Sequence, residues 1–91
     1  KNTLKGNNKM ATSREDITEW FTRGKKQKAT HLIVVCDTYD HEDYPVFVTK
    51  KQDAKTEVTK RNGVNMARVM EVYNLSMDME TQLKEYRSFN Y

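Results

Sequence analysis

The chain has 91 residues, 36% of them apolar and 32% charged, with a net charge of +3; that is enough for one buried core and too little for two. No run approaches the roughly 18 apolar residues that cross a bilayer, and residues 1–11 lack the apolar middle of a signal peptide, so the expectation is a cytoplasmic chain with no membrane contact. Cys36 is the sole cysteine, which excludes an internal disulfide, and inside its apolar run a thiol behaves as a small hydrophobe, in keeping with a reducing compartment.

Charge is distributed in blocks of +5 over residues 1–30, −4 over 31–49, +4 over 50–68 and −2 over 69–91. Alternation of sign favours charge matching within or between subunits over one continuous basic face. Self-association to a homodimer is expected to help so small a core.

Residues 1–11, KNTLKGNNKMA, are too polar to offset their ordering entropy and read as a flexible basic arm ahead of a single α+β domain over 12–91. Thr12 and Ser13 offer N-caps, with Glu15 and Asp16 completing a capping box. Ile17, Trp20, Phe21 and Gly24 then follow at helical spacing, so a first helix is predicted from about Arg14 into the Lys25–Lys28 cluster. The run from His31 to Asp37 is β-branched and apolar on both faces, as a strand covered on both sides would be. Residues 37–44 read as a polar turn, and Pro45–Thr49 as a second strand, with Pro at its first position where a missing N–H does least harm. The two runs should pair as an antiparallel hairpin.

A short helix is predicted from Gln52, with Ala54 and Val58 four apart and Asn62-Gly63 as its stop. Met66, Val69, Met70 and Tyr73 repeat at i, i+3, i+4, i+7, which favours a further helix; the alternative is a third strand with Val69, Glu71, Tyr73 and Leu75 alternating. A last helix from about Met77 would place Met79, Leu83 and Tyr86 on one face. The expected fold is therefore α+β: a two-stranded antiparallel hairpin, with a third strand as the variant, packed by an N-terminal helix and two to three C-terminal helices.

The segments HLIVVCDTYDHEDYPVFV (31–48) and NMARVMEVYNLSMD (65–78) resemble a set of small proteins from bacteria and their tailed phages, and the likeness covers residues 13–91. The resemblance implies a stand-alone domain in a bacterial cell or phage-infected host. It implies no activity, because none is established for those proteins, and so no functional residue carries over from it.

Three constellations bear on function. Tyr39, Asp40, His41, Glu42, Asp43 and Tyr44 form an acidic turn flanked by two Tyr, a composition suited to protein contacts. Lys25, Lys26, Lys28, Lys50, Lys51, Lys60 and Arg61, with Lys1, Lys5 and Lys9 in the arm, are the candidates for phosphate contacts with nucleic acid or a nucleotide. Asp37, Asp40, His41 and Asp43 are the candidates for a divalent cation, although their spacing matches no established zinc or calcium pattern. The bland readings are a solvated turn stabilised by its own side-chain oxygens and basic residues placed at helix ends.

Cys36 would need a base within hydrogen-bond reach to act as a nucleophile; His31 lies too far along the same strand, and His41 remains open. Gly6, Gly24 and Gly63 are isolated, so no phosphate-binding loop is present. The leading expectation is a non-enzymatic protein-binding module, without a cofactor, acting as an accessory or inhibitor of a host or phage protein, for example against a host defence. Nucleic-acid or nucleotide binding through the Lys clusters and a metal-dependent enzyme at the Asp/His turn are the alternatives.

Overall fold

Ser13 opens the first helix by accepting a hydrogen bond from the Asp16 N–H through its side chain at 3.1 Å, satisfying one of the orphan donors of the first turn. The computed structural model describes residues 13–85 and 87–91. The arm at 1–11, the second cap candidate Thr12 and the aromatic Tyr86 lie outside the described residues. In chain order the elements are α1 (Arg14–Lys26), β1 (His31–Asp37), β2 (Glu42–Val48), α2 (Ala54–Arg61), β3 (Ala67–Asn74) and α3 (Met79–Leu83). The architecture is α+β, with a three-stranded antiparallel sheet of order β2-β1-β3.

β1 is the middle strand, and the sequence shows why. Leu32, Ile33, Val34 and Val35 are all buried, so neither face of the strand meets water. Leu32 and Val34 pack with Ile17 and Phe21 of α1 and with Tyr73 and Leu75, while Trp20, Phe47, Met70, Met79 and Leu83 border this cluster. Ile33 and Val35 pack on the other face with Val48, Val69, Val72 and Val58 of α2. A run apolar on both faces therefore has a helix layer on each side.

Ala67–Asn74 forms a strand, not the helix that the spacing over 66–73 favours. β3 pairs with β1 from Ala67↔Asp37 to Asn74↔His31, but the register shifts between Val34, opposite Glu71, and Val35, opposite Val69. Met70 is the extra residue of a β-bulge. A bulge skips one beat of the two-residue alternation, so the inward positions on one face become Val69 and Val72, three apart. That spacing is the physical source of the apparent helical period.

Two boundaries also differ from expectation. β2 begins at Glu42, so the connection spans only 38–41 and Pro45 lies inside the strand, opposite Val34. Pro45 is tolerated because β2 is an edge strand and an outward-facing position has no ladder N–H to give. α3 begins at Met79 behind the N-cap Asp78, whose carboxylate accepts from the Thr81 N–H, and it ends before Lys84 and Arg87. Met66 and Met77 are exposed.

The free edge of β3 is covered by the C-terminal segment. Val72 N–H donates to the Ser88 carbonyl at 2.7 Å and Asn90 N–H to the Val72 carbonyl at 3.0 Å, forming a parallel bridge between Val72 and Phe89. Phe89 and Tyr91 stay partly exposed, beneath the Arg87 guanidinium and the Lys55 ammonium respectively. Gln82 locks this arrangement from a fully buried position. Its side-chain oxygen accepts from Asn74 N–H at 2.7 Å and from the Asn90 amide at 3.0 Å, and its nitrogen donates to the Asn74 and Asp78 carbonyls.

Replacing Gln82 by Leu keeps the volume but strands the Asn74 main-chain groups. We expect a loss of about 2–4 kcal/mol in urea unfolding, since each buried orphan costs about 1–3 kcal/mol.

Candidate interaction surface

The turn 38–41 is built by Asp37. Its carbonyl accepts from His41 N–H at 2.7 Å, and its carboxylate accepts from Tyr39 N–H at 2.9 Å, so two of the turn's donors are satisfied by one residue. His41 takes a left-handed φ of 58° to close the turn. Tyr39 is left projecting, 77% exposed.

The second component is the α2–β3 loop, which the sequence alone did not mark. Thr38 donates both its N–H, at 2.7 Å, and its hydroxyl, at 3.0 Å, to the Met66 carbonyl, tying this loop to the turn. Gly63, Asn65 and Met66 have φ values of 81°, 51° and 62°. Left-handed backbone suits Gly and Asn but is costly for Met, because its Cβ crowds the following carbonyl. The loop carries Val64 at 46% and Met66 at 59% exposure, so strained backbone here presents apolar side chains to solvent. The only forward signals were Asn62-Gly63 and Asn65, residues that permit such a turn.

Alternation along β1 and β2 sorts the acidic candidates between the two faces of the sheet. Asp37 and Glu42 are directly opposite one another, and Cys36 and Asp43 form the next pair, pointing the other way. Tyr44 is in phase with Val46 and Val48 on the α2 side and 42% exposed. Asp37 and Asp43 thus lie on opposite faces. Among the described residues no three His, Cys, Asp or Glu side chains converge so as to hold a metal ion, and the set Asp37, Asp40, His41 and Asp43 is not brought together. What alternation does create is a like-charge cross-strand pair, Asp37 with Glu42, a repulsion that a cation from outside would relieve.

Cys36 is half-buried, and its thiol donates to the Asp37 carbonyl at 3.7 Å. Burial, followed by its hydrogen bond with Asp43, raises its pKa above the ordinary thiol value, which keeps it protonated and a poor nucleophile. His31 lies at the opposite end of β1, between the Thr30 hydroxyl and the Tyr91 carbonyl.

The basic candidates divide between the two ends of the sheet. Lys25, Lys26 and Lys28 close α1 and lead into His31, whose partner Val48 leads out to Lys50 and Lys51; Thr30 N–H bridges the two segments by donating to the Val48 carbonyl at 2.7 Å. These five lysines share the end remote from the turn. Lys60 and Arg61 close α2 at the turn end, where both pair with the buried Glu57, Arg61 at 2.6 Å. The Arg61 hydrogen bond is the main reason that the Glu57 carboxyl lies below its usual value.

Compared with protein-family models, curated proteins and solved structures, the chain matches none.

If the Met66 conformation is imposed by the loop, Met66→Gly should leave thermal stability unchanged or raise it by up to about 1 kcal/mol, because glycine enters the left-handed region freely. Val69→Gly, three residues away in the core, should instead lower it by several kcal/mol in the same melting experiment.

Proposed function

We propose that this chain is a small non-enzymatic protein-binding module whose turn end receives a basic segment carrying an apolar side chain. The observation that carries the reading is the junction of Tyr39, Val64 and Met66, exposed together where Thr38 ties the turn to the α2–β3 loop. Exposed aromatic and Met side chains are typical of interface centres, and Met repacks readily against a partner. Asp37, Asp40 and Glu42 supply a negative rim, with the Asp37–Glu42 repulsion favouring a cationic partner. In the bacterial or phage setting that the sequence resemblance suggests, such a module would act as an accessory or inhibitor of a host or phage protein.

A second reading is favoured by the five lysines at the opposite end, which could meet phosphates of a nucleic acid or nucleotide. The two readings assign function to opposite ends of one sheet, so one set of variants separates them.

Affinity capture from a bacterial lysate would compare the parent chain with Tyr39→Ala, with Met66→Gly, with the pair Asp40→Asn and Glu42→Gln, and with the pair Lys50→Ala and Lys51→Ala. Under the leading reading, Tyr39→Ala costs at least about 2 kcal/mol, roughly thirtyfold in retention of one stoichiometric protein, and the lysine pair changes nothing. Loss of a salt-sensitive RNA, DNA or nucleotide component only in the lysine pair would overturn that assignment in favour of the basic end.

A further inference from the structure

The β-bulge does more than disturb the register of β3. By inserting Met70 it turns Met70 and Glu71 toward the α1 side of the sheet, where both line a cavity of about 400 Å³. Ile17, Val34, Met70 and Leu83 give apolar walls, a volume and lining in the range of small-molecule sites. The charged groups that line it are Arg14 from α1, Asp43 from β2, Glu71 beside Tyr73 on β3, and Glu85 and Arg87 from the segment after α3, while β1 and α3 contribute only Val34 and Leu83.

Both guanidinium groups are engaged by the protein itself. Arg14 is ion-paired with Glu80 of α3. Arg87 donates to the Met70 carbonyl at 3.2 Å and the Val69 carbonyl at 3.4 Å, the main-chain oxygens of the bulge, and lies over the Phe89 ring. One oxygen of Glu85 accepts from the Ser88 hydroxyl and the Asn90 amide. Glu71 is different: it is half-buried, and its hydrogen bond from the Tyr73 hydroxyl, at 2.6 Å, is neutral. Desolvation raises its carboxyl above the ordinary value, against the opposing effects of Tyr73 and Arg87, and the Asp43 charge adds to the rise. A carboxylate directed by a bulge into an apolar cavity, with Arg14 held by Glu80 and Arg87 by the bulge carbonyls, makes no direct ion pair among the described residues, and Arg87 acts on it only through space.

We infer that this cavity is a binding site for an organic cation, an ammonium group on a compact apolar body, with Glu71 as the charge partner and Ile17, Val34, Met70 and Leu83 around the body. The site is separate from the turn-end surface, and its test does not depend on that reading.

The test is titration of the ¹⁵N-labelled chain with cyclohexylmethylammonium, with cyclohexylacetate as the anion of the same body, and with a tripeptide amide Ala-Lys-Ala. The expected result is saturable amide shifts confined to the neighbourhoods of Ile17, Val34 and Met70–Tyr73 with the amine, at a Kd of about 1 mM or tighter, and none with the anion. Glu71→Gln should weaken amine binding tenfold or more, while Tyr39→Ala leaves it unchanged. Tighter binding of the peptide would identify a lysine side chain as the natural source of the cation, and tighter binding of the small amine a free one. Saturation by cyclohexylacetate, equal amine binding by Glu71→Gln, or no saturable shift would overturn the proposal.

Folding of the variant is checked in the same samples. Because the folded state holds the Glu71 proton more tightly than the unfolded chain does, ionising Glu71 costs stability as pH rises above the unfolded value near 4.5. Without ligand, Glu71→Gln should therefore melt higher than the parent near neutral pH, with the difference vanishing as pH falls below that value.

Discussion

Burying β1 on all sides is the constraint on which the rest of this molecule depends. Four consecutive apolar side chains, Leu32 to Val35, cannot be satisfied by a strand with one wet face, so the chain must supply a layer on each side of the sheet. α1 and α3 supply one and α2 the other. The main-chain groups of β1 need partners as well, and β2 and β3 take its two edges. That leaves two outer edges exposed to pairing with other chains. The C-terminal segment closes one through Val72, and Pro45 sits on the other, where a residue without an N–H weakens any further ladder.

The bulge at Met70 links this scaffold to a candidate site. An unbroken alternation would have placed Met70 and Glu71 on opposite faces; the inserted residue turns both toward α1 and frees two carbonyls, which Arg87 then binds. Gln82 performs a related task at the far end of β3, joining the strand, α3 and the terminal segment through one buried amide. The side chains that hold the segment after α3 against β3 are thus largely polar, in keeping with the short final helix. Hydrogen bonds from Gln82 and Arg87 fix that segment on a strand that apolar burial already holds.

Charge follows the same axis. The acidic block at 31–49 becomes one end of the sheet, and five lysines from two separate basic blocks gather at the other. A hairpin converts distance along the sequence into opposite ends of a strand, so block alternation becomes a polarised molecule. On the reading proposed above, the apolar residues exposed at the acidic end, and not the acids alone, make that end the contact surface.

By itself the sequence determined the central apolar strand, its hairpin partner, the first helix with Ser13 as one of two cap candidates, and the short helix stopped at Asn62-Gly63. These rest on local signals: β-branched runs, caps, and residues that allow left-handed backbone. The acidic turn was legible for the same reason. Tertiary structure alone decided that 67–74 is a strand, because β1 had an unpaired edge whose hydrogen bonds outweigh a local spacing that the bulge makes helix-like. It also decided that Asp37 and Asp43 part company, since face assignment depends on register. Val64 and Met66 came beside the turn of Tyr39 only through two Thr38–Met66 hydrogen bonds spanning 28 residues, and Glu71, Arg14, Asp43 and Arg87 line one cavity only where four parts of the chain converge. No local pattern encodes such meetings, because they are properties of packing rather than of neighbours in sequence.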